Sequence, residues 1–328
     1  MKKVAILTSG GDAPGMNACI RAIVLTAEHY GLEVIGYKHG YNGLIEQEYK
    51  LLAPVNVNNI GQRGGTILKS GRCVDFHTEE YGRAAAKNLL DLDIDALFVI
   101  GGNGSFRGAH HLSKYYNGQV IGLPGTIDND ISGTDATIGY YTAIETALDS
   151  IDKVRDTADA FERIFLIEVM GRHAGFIALS AAVASAADRV IVPEDCGDIE
   201  VEVDNLIEHL QAVYRVRGLS SYIVVTSENL LPGGVITLAN MISEKTEIEC
   251  RPVILGHVQR GGSPVSQDRI LAAKLGAYAV EQAIEGHNAV MVGEHNNQLV
   301  TLPIEVSWQQ QKPLDKYLLK VQRQLLNL

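Results

Sequence analysis

The chain has 328 residues, of which 46% are hydrophobic and 20% are charged, and its formal net charge is −11. Because nucleic acids and anionic membrane surfaces are also negative, this charge argues against either as a partner. No run of about 18 apolar residues is present, so a membrane-spanning helix is not expected. The four cysteines include no C-x-x-C pair, which disfavours a disulfide framework and a zinc site and favours a cytoplasmic protein.

Short apolar runs recur along the chain and predict buried β-strands. The first run follows Lys2 and Lys3, but it is too short for a signal peptide and it ends at glycines. In chain order the predicted strands are residues 4–7, 34–37, 96–100, 120–123, 164–168, 190–192, 222–225, 253–255 and 290–292. Segments with helical apolar spacing separate most of them, at 16–29, 140–155, 176–187, 199–217 and 269–284.

Strands that alternate with helices and are apolar throughout are typical of parallel sheets covered by helices on both faces. Nine or more strands would make a large single sheet, so the sequence predicts an α/β fold with two domains, each a mostly parallel sheet flanked by helices. The turn at 137–139 and the run 251–257 are candidate domain boundaries. In such sheets ligands bind beyond the carboxyl ends of the strands.

An acidic motif follows the predicted strand at 120–123. The run 122–130, GLPGTIDND, carries Asp128 and Asp130 two residues apart. If this segment is extended, its period of two places both carboxylates on one face. That arrangement suits a general base beside a metal ion or a phosphate group.

Two glycine-rich turns also follow predicted strands: TSGGDAPGMN at 8–17 and GGNGS at 101–105. Glycines let backbone N–H groups approach an anion, and the next helix adds a favourable partial charge at its N-terminus. Ser105 is expected to cap that helix. Neither turn is a Walker A loop, and each alone could be a simple strand–helix connection. Together with the acidic motif they predict a phosphoryl-transfer site.

Cationic residues lie beside three further glycine-containing turns. Arg172 is in MGRHAG at 170–175, and its guanidinium suits a phosphoryl group, although a lone surface arginine is more often only solvated. Arg251, His257 and Arg260 flank one predicted strand and could bind a phosphate monoester. Arg72 lies on a glycine-rich loop and either bridges phosphates or is an exposed loop charge.

Four long segments, in this order, resemble those of the bacterial ATP-dependent 6-phosphofructokinases of the phosphofructokinase A family: LTSGGDAPGMN, GLPGTIDND, EVMGRHAG and LGHVQRGGSP. The resemblance runs from Lys2 to beyond Val280. It implies the phosphofructokinase fold, with a larger ATP-binding domain (1–139 plus 256–304) and a smaller sugar-phosphate-binding domain (140–255 plus 305–328). It also implies a homotetramer whose active sites use neighbouring subunits, and a glycolytic kinase that uses Mg²⁺ to transfer the γ-phosphoryl group of ATP to the 1-hydroxyl of fructose 6-phosphate.

The resemblance assigns roles to individual residues. Asp128 corresponds to the general base, with Thr126 and Asp130 orienting the substrate and the metal-bound phosphate. Arg172 corresponds to the residue that stabilises transition-state charge, and Arg72 bridges the nucleotide phosphates. The implied ATP-binding residues are Gly11, Arg72, Cys73, Gly102, Asn103, Gly104 and Ser105. The implied fructose 6-phosphate-binding residues are Thr126, Asp128, Arg163, Met170, Gly171, Arg172, Glu228, Arg251, His257 and Arg260, of which Arg163 and Arg251 reach into the adjacent subunit's site.

The phosphoryl donor is indicated by two glycines. Pyrophosphate-dependent relatives have Asp at the position of Gly104 and Lys at the position of Gly125. Glycine at both positions leaves room for the adenosine side of ATP, so ATP is the expected donor.

One departure from the family pattern concerns the metal. The family usually has Asp, which binds the Mg²⁺ of MgATP, where this chain has Asn103. Asparagine keeps a carbonyl ligand but lacks the negative charge that Mg²⁺ prefers, which predicts weaker metal dependence and reduced turnover.

A second departure concerns the family's effector site, a cluster of cations at a subunit interface that binds ADP or phosphoenolpyruvate. Arg21, Arg155 and Arg217 remain, while Leu25 and the region of Pro54 replace basic residues. The run 219–221, LSS, stands where a lysine-rich run is usual. We expect regulation by these effectors to be weak or absent.

Three alternatives remain beside an ATP-dependent sugar-phosphate kinase. Asn103 is the only sequence support for a catalytically silent regulatory homologue. A pyrophosphate-dependent phosphofructokinase is disfavoured by Gly104 and Gly125. NAD and lipid kinases share a similar glycine-rich loop, but MGRHAG and GHVQRGG are not expected in them, which favours fructose 6-phosphate as acceptor.

Overall fold

A computed structural model describes residues 1–161, 163–218 and 221–325, with the side chain of Arg217 excepted. Within it the chain forms two compact units. The first unit comprises Met1–Thr142 and Arg260–Lys312, and the second comprises Ala143–Gln259 and Pro313–Leu328. The assignment of ATP binding and sugar-phosphate binding to two domains stays a prediction.

The described residues form strands and helices that alternate along most of the chain. The strands are β1 (Lys3–Ser9), β2 (Glu33–Tyr37), β3 (Tyr49–Leu51), β4 (Ala96–Gly101), β5 (Gln119–Pro124), β6 (Ile164–Val169), β7 (Arg189–Ile191), β8 (Tyr222–Ser227), β9 (Cys250–Ile254), β10 (Val290–His295) and β11 (Gln298–Pro303). The α-helices are α1 (Met16–His29), α2 (Tyr41–Glu46), α3 (Pro54–Val57), α4 (Glu79–Asp91), α5 (Asn103–Leu112), α6 (Tyr140–Phe161), α7 (Phe176–Ala184), α8 (Ile199–Arg217), α9 (Gly234–Thr246), α10 (Ser266–Ile284), α11 (Val306–Gln309) and α12 (Lys316–Gln324).

The first unit contains a seven-stranded sheet in the order β11-β10-β5-β4-β1-β2-β3. Its central strands pair in parallel, and β3 and β11 pair antiparallel with β2 and β10. The register aligns Ser9 of β1 with Gly101 of β4, and Gly101 with Pro124 of β5. Three neighbouring strands therefore end at the same edge of the sheet. These are the strands after which the two glycine-rich turns and the acidic motif follow.

The second unit contains a four-stranded parallel sheet in the order β7-β8-β6-β9. Val169 at the end of β6 aligns with Ser227 at the end of β8. Apolar side chains of β6 and β8, such as Leu166 and Val224, pack with those of α8 and α9 in a buried core. The turn that carries Arg172 follows β6, and Glu228 follows β8. Both therefore begin at the same edge of this sheet.

The α/β prediction, with mostly parallel sheets flanked by helices, is confirmed. All nine predicted strands are present, whereas the edge strands β3 and β11 were not predicted. Both are partly exposed, so they lack the continuous apolar pattern of the buried strands. No helix among the described residues is both long and apolar enough to span a membrane.

Candidate active site

The predicted site residues divide between the two units. The first unit carries the predicted ATP-binding residues with Thr126, Asp128, Asp130 and Arg260, and the second carries the other predicted sugar-phosphate-binding residues.

The N-terminus of α5 lies directly after β4. Helix α5 starts at Asn103, and the first hydrogen bond along it joins the N–H of Phe106 to the carbonyl of Gly102. Among the described residues, the N–H groups of Asn103, Gly104 and Ser105 donate no hydrogen bond. Such unpaired donors at a helix N-terminus are suited to a phosphate group. These residues belong to the predicted ATP-binding loop, and phosphate binding there stays a prediction.

Ser105 joins this loop to the first glycine-rich turn. Its Oγ donates a hydrogen bond of 3.0 Å to the carbonyl oxygen of Ser9 at the end of β1. A Cβ atom at Gly101 would lie only 2.6 Å from the carbonyl oxygen of Ser9, so the close contact between the two loops requires glycine there. The expectation that Ser105 caps α5 was wrong, because Gly102 is the N-cap residue and Ser105 lies within the first turn.

Asn103 connects α5 to the acidic motif. Its Nδ2 donates a hydrogen bond of 3.1 Å to Oδ2 of Asp130. Its Oδ1 is buried and has no hydrogen-bond partner among the described residues. A buried amide oxygen without a partner and a carboxylate bonded to the nitrogen of the same amide are oxygen donors of the kind that a hard cation takes. The chemistry of the donors therefore fits Mg²⁺, with Asn103 supplying a neutral oxygen.

The acidic motif is a turn and not an extended strand. Strand β5 ends at Pro124, and Asn129 has a left-handed φ of 54°. The prediction that an extended backbone places Asp128 and Asp130 on one face was therefore wrong. The Asp128 N–H donates to Oγ1 of Thr126 at 3.3 Å, and Asp128 as a residue is only 8% exposed. Burial of this carboxylate limits its contact with water.

The loop at 60–73 packs against the first glycine-rich turn. The N–H of Gly10 donates to the carbonyl of Gly71 at 3.1 Å, and Oγ of Ser70 donates to the carbonyl of Gly10 at 2.7 Å. Arg72 follows directly and is exposed, whereas Cys73 is half-buried, and burial raises the pKa of its thiol. The structure thus brings Arg72 and Cys73 next to the turn that contains Gly11.

A cavity of about 520 Å³ lies between this loop and the turn. It carries the cationic side chains of Arg63 and Lys69 and the carboxylate of Asp12. Its lining residues are Gly10, Gly11, Asp12, Asn17, Arg63, Gly64, Gly65, Thr66, Ile67, Lys69 and Ser70.

Arg260 lies against the same turn. Its Nη1 donates to the carbonyl of Asp12 at 3.1 Å, and a Cβ atom at Gly11 would lie 2.2 Å from that nitrogen. A larger residue at Gly11 would require the guanidinium to move. The structure therefore brings together Gly11, a predicted ATP-binding residue, and Arg260, a predicted sugar-phosphate-binding residue.

In the second unit, Glu228 holds the turn that carries Arg172. Its Oε1 accepts hydrogen bonds from the N–H groups of Gly171 at 3.2 Å and Arg172 at 2.7 Å. Arg172 has a left-handed φ of 61°, unusual for a residue other than glycine, and its side chain is exposed. Gln259, which was not predicted, accepts a hydrogen bond from the N–H of Met170 at 2.8 Å through Oε1. Its position inside the segment LGHVQRGGSP was the available signal.

Arg163 and Arg251 share one carboxylate. Glu249 approaches Nε of Arg163 at 3.3 Å through Oε2 and Nη2 of Arg251 at 2.5 Å through Oε1. Strands β6 and β9 are neighbours, which explains why residues beside their starts meet. Glu249 was not predicted, because it lies outside the recognised motifs. His257 is exposed on a short 3₁₀ helix.

The predicted effector residues are found on both units. Arg21 is exposed on α1. Nη2 of Arg155 donates to the carbonyls of Ser185 at 2.6 Å and Ala186 at 3.2 Å. This guanidinium is therefore already hydrogen-bonded to the backbone directly after α7. The side chain of Arg217 and the residues Leu219 and Ser220 lie outside the described residues.

Comparison with known proteins identifies the family. The family model described as Phosphofructokinase matches residues 3–283. The chain is 48% identical over 325 residues to "ATP-dependent 6-phosphofructokinase 1" of Thermus thermophilus, covering 99% of each chain. It is 46% identical over 326 residues to "ATP-dependent 6-phosphofructokinase 2" of Bacteroides thetaiotaomicron, covering 99% of this chain and 98% of that one.

Solved structures agree with this assignment. Phosphofructokinase from Saccharomyces cerevisiae superposes with a TM-score of 0.88 at 34% identity, and the match covers 99% of this chain but 47% of that one. A pyrophosphate-dependent phosphofructokinase from Marinobacter aquaeolei shares the fold, with a TM-score of 0.82 at 22% identity, over 97% of this chain and 86% of that one. The family match, the identities over almost the whole chain and the strand-end motifs agree, and the chain therefore belongs to the phosphofructokinase family.

Proposed function

We propose that this protein is an ATP-dependent 6-phosphofructokinase, which transfers the γ-phosphoryl group of ATP to the 1-hydroxyl of fructose 6-phosphate. The observation that carries the proposal is the shared edge of β5, β4 and β1. There the unpaired N–H groups of α5 stand beside the acidic turn, joined by the hydrogen bond between Asn103 and Asp130. The curated relatives bear the name of this activity.

The ATP phosphates bind at the N-terminus of α5. Three unpaired N–H groups, those of Asn103, Gly104 and Ser105, donate to phosphate oxygens, where the helix dipole favours negative charge. Gly11 and Gly102 let the phosphates approach the backbone, and Arg72 and Cys73 complete the nucleotide site.

Asp128 acts as the general base. As the 1-hydroxyl oxygen of the sugar attacks the γ-phosphorus, its proton moves to the Asp128 carboxylate. The bond from the γ-phosphorus to the bridging oxygen breaks, and ADP leaves with that electron pair. Arg172 and Arg72 stabilise the charge on the transferring group, while Thr126 and Asp130 hold the reacting groups in position.

Mg²⁺ is the proposed cofactor, and the donor set at the end of β4 supports it. Oδ1 of Asn103 is a buried oxygen without a hydrogen-bond partner among the described residues, and Nδ2 of the same amide donates to the Asp130 carboxylate. When bound, the cation neutralises phosphate charge. Asn103 supplies a neutral ligand, so weaker metal affinity is part of the proposal.

The second unit supplies groups for the sugar phosphate. The proposed sugar-phosphate-binding residues of this unit are Met170, Gly171, Arg172, Glu228 and His257, and Arg260 is a proposed one of the first unit. Arg163 and Arg251 act on the site of an adjacent subunit, in a homotetramer. A cytoplasmic location, a glycolytic role and the absence of nucleic-acid or membrane partners belong to the same proposal.

The contacts at two glycines support ATP as the donor. A Cβ atom at Gly104 meets nothing within 4 Å, so space is open beside the phosphate loop. A Cβ atom at Gly125 would lie 2.8 Å from Cγ2 of Ile100, so the lysine of pyrophosphate-dependent relatives does not fit without movement.

The test is formation of fructose 1,6-bisphosphate from fructose 6-phosphate with ATP or pyrophosphate, across a Mg²⁺ titration. Turnover with ATP supports the proposal. Turnover with pyrophosphate but not with ATP would mean that pyrophosphate is the phosphoryl donor. Binding of fructose 6-phosphate in calorimetry without turnover by either donor identifies a silent regulatory homologue. Light scattering of the same sample tests the homotetramer.

A further inference from the structure

A lysine distant in sequence binds the acidic turn. Nζ of Lys312, the last residue of the first unit, donates hydrogen bonds to Oδ1 of Asn129 at 2.8 Å and to the carbonyl of Asp135 at 2.9 Å. Asn129 separates the proposed general base Asp128 from Asp130. Lys312 therefore contacts the one residue through which the orientations of both carboxylates are linked.

Asn129 closes the turn through its side chain. Its Oδ1 accepts a hydrogen bond of 3.1 Å from the N–H of Thr137, and its Nδ2 donates to the carbonyl of Asp135 at 3.4 Å. The side chain is buried, and the backbone is left-handed with a φ of 54°. A left-handed asparagine is tolerated when its short side chain bonds nearby backbone. Displacement of this side chain would move the backbone of both neighbours.

Lys312 is not needed to satisfy the polar groups that it contacts. Oδ1 of Asn129 already has the Thr137 N–H, and the carbonyl of Asp135 already has Nδ2 of Asn129. The lysine adds a second donor and a positive charge. Burial lowers the pKa of Lys312 to about 8, against the opposing attraction of Asp135 and Asp130, so the turn holds a cation at neutral pH. Holding a half-buried charge costs stability, and a neutral residue could pack at this position without that cost.

We propose that Lys312 is a positioning residue for phosphoryl transfer, which fixes Asn129 and thereby the backbone between Asp128 and Asp130. The inference rests on the proposed function of Asp128. Lys312 contacts neither ATP nor the sugar phosphate, and it acts through Asn129. Its contribution is to the geometry of the transition state, where small displacements of a catalytic group lower the rate strongly.

The test compares Lys312→Met with Lys312→Arg and with the control Lys316→Met. Lys316 is an exposed lysine at the start of α12, so its change removes the same charge without touching the turn. For Lys312→Met we expect kcat to fall about 10- to 100-fold, with the KM for ATP changed by less than about threefold. Lys312→Arg keeps a donor and a charge and is expected to recover part of kcat, while Lys316→Met matches the parent.

A double-mutant cycle tests whether Lys312 acts through Asn129. Asn129→Gly permits the left-handed backbone but removes the side chain. In that background Lys312→Met should lower kcat by less than about threefold, because the contact through which it acts is gone. Equal losses in both backgrounds would overturn the proposal, as would a kcat of Lys312→Met within about twofold of the parent.

A readout without turnover separates this inference from the proposed function. Exchange of the Thr137 amide hydrogen, which is bonded to Asn129, should be faster in Lys312→Met than in the parent and in Lys316→Met. Unchanged exchange counts against the role of Lys312 even in an active enzyme. A parent without turnover by ATP contradicts the proposed function, whatever the exchange shows.

Discussion

Nδ2 of Asn103 donates a hydrogen bond of 3.1 Å to Oδ2 of Asp130, and so joins the first residue of α5 to the acidic turn after β5. An aspartate at this position could not donate that bond. Two carboxylates so close would repel each other unless a proton or a cation lay between them. This chain therefore holds the two segments together through a neutral amide.

Asn103→Asp is predicted to exchange this hydrogen bond for a stronger metal ligand. Without Mg²⁺ we expect the free energy of unfolding to fall by about 1–3 kcal/mol, because a hydrogen bond is lost and a repulsion is gained. With Mg²⁺ we expect a lower half-saturating concentration and a higher kcat, because the cation prefers anionic oxygen. Thermal melting and initial rates across a Mg²⁺ titration measure both effects.

Asn103→Ala is the matched control, since it removes the hydrogen bond and the ligand together. It should lose stability without Mg²⁺ and gain nothing when Mg²⁺ is added. If Asn103→Asp has the same rate and the same Mg²⁺ half-saturation as the parent, the identity of residue 103 is without consequence for the metal.

Gly104→Asp is predicted to fold well but to lose activity with ATP. Gly104 is exposed near the N-terminus of α5, where a carboxylate stabilises the helix by about 0.3–1 kcal/mol. The same carboxylate repels phosphate from the unpaired N–H groups, so kcat/KM for ATP should fall about 100-fold or more. Melting temperature and ATP saturation are the measurements.

Gly125→Ala provides the contrast to this substitution. Its added methyl group would lie 2.8 Å from Cγ2 of Ile100 and 3.3 Å from Cε of Met16, so here the stability should fall. A Gly104→Asp variant that is destabilised would contradict the predicted stabilisation of α5. One that retains the parent's ATP kinetics would contradict phosphate binding at this loop.

The buried strands and the strand-end motifs could be predicted, because they depend on local pattern. Continuous apolar runs such as β4 indicate a parallel sheet, and motifs that follow such runs are expected at the carboxyl edge of that sheet. Strand β11 could not be predicted, because its exposed residues are held by pairing with β10 and not by burial. Its position depends on pairing with β10, which the local apolar pattern of its own residues does not indicate.

Within the site, the missed features are long-range contacts. Lys312 lies 183 residues from Asn129, and Arg260 lies 248 residues from Asp12. Neither contact follows from spacing or composition. The left-handed Asn129 was also missed, because the period of two assumes an extended backbone, whereas this asparagine bonds the backbone of Asp135 and Thr137.

Glu249→Gln is predicted to improve binding of fructose 6-phosphate. Glu249 pairs with both Arg163 and Arg251, and it competes with a phosphate group for them. All three side chains are exposed, so the competition is worth at most about 1 kcal/mol, or roughly fivefold. The KM for fructose 6-phosphate should fall by about two- to fivefold, with kcat little changed.

Glu244→Gln, at an exposed position on α9, makes the same change in net charge and is the control. It should leave the sugar-phosphate saturation curve unchanged. An unchanged or higher KM in Glu249→Gln would mean that the glutamate holds the arginines in a productive geometry and does not compete for them.

Regulation by phosphoenolpyruvate or ADP is predicted to be weak. Arg155 donates to the carbonyls at the end of α7, and Leu25 stands one helical turn after Arg21 on α1. Each charged contact is worth only about 1.5–3 kcal/mol, so the remaining cations make a weak site for a polyanion. Millimolar effector should shift the half-saturating fructose 6-phosphate concentration by less than about twofold.

Leu25→Arg adds a cation on the same face of α1 as Arg21, since residues four apart are neighbours on a helix. It should increase the shift caused by phosphoenolpyruvate, whereas the uncharged Leu25→Gln should not. A strong shift in the parent would contradict the prediction of weak regulation.

The pH dependence of stability is predicted to contain a contribution from Lys312. Burial lowers the pKa of this lysine from 10.5 to about 8 in the folded chain, and the charged groups that act on it include Asp135, which is paired with His295, and Asp130. Between pH 8 and pH 10.5 the unfolded lysine keeps a proton that the folded one has lost. Stability should therefore rise with pH in this window, by at most about 1.4 kcal/mol per pH unit. Below about pH 8 the burial of the charged lysine lowers the stability by its full amount.

Lys312→Met removes that contribution. At about pH 7 we expect the variant to be more stable than the parent by at most about 3 kcal/mol, and the difference should shrink as the pH approaches 10.5. Denaturant unfolding of both proteins across this range is the measurement, with Lys316→Met following the parent. Lower stability of Lys312→Met near pH 7 would mean that the hydrogen bonds of Lys312 outweigh the cost of its burial. Higher stability with lower kcat would separate positioning from structural support.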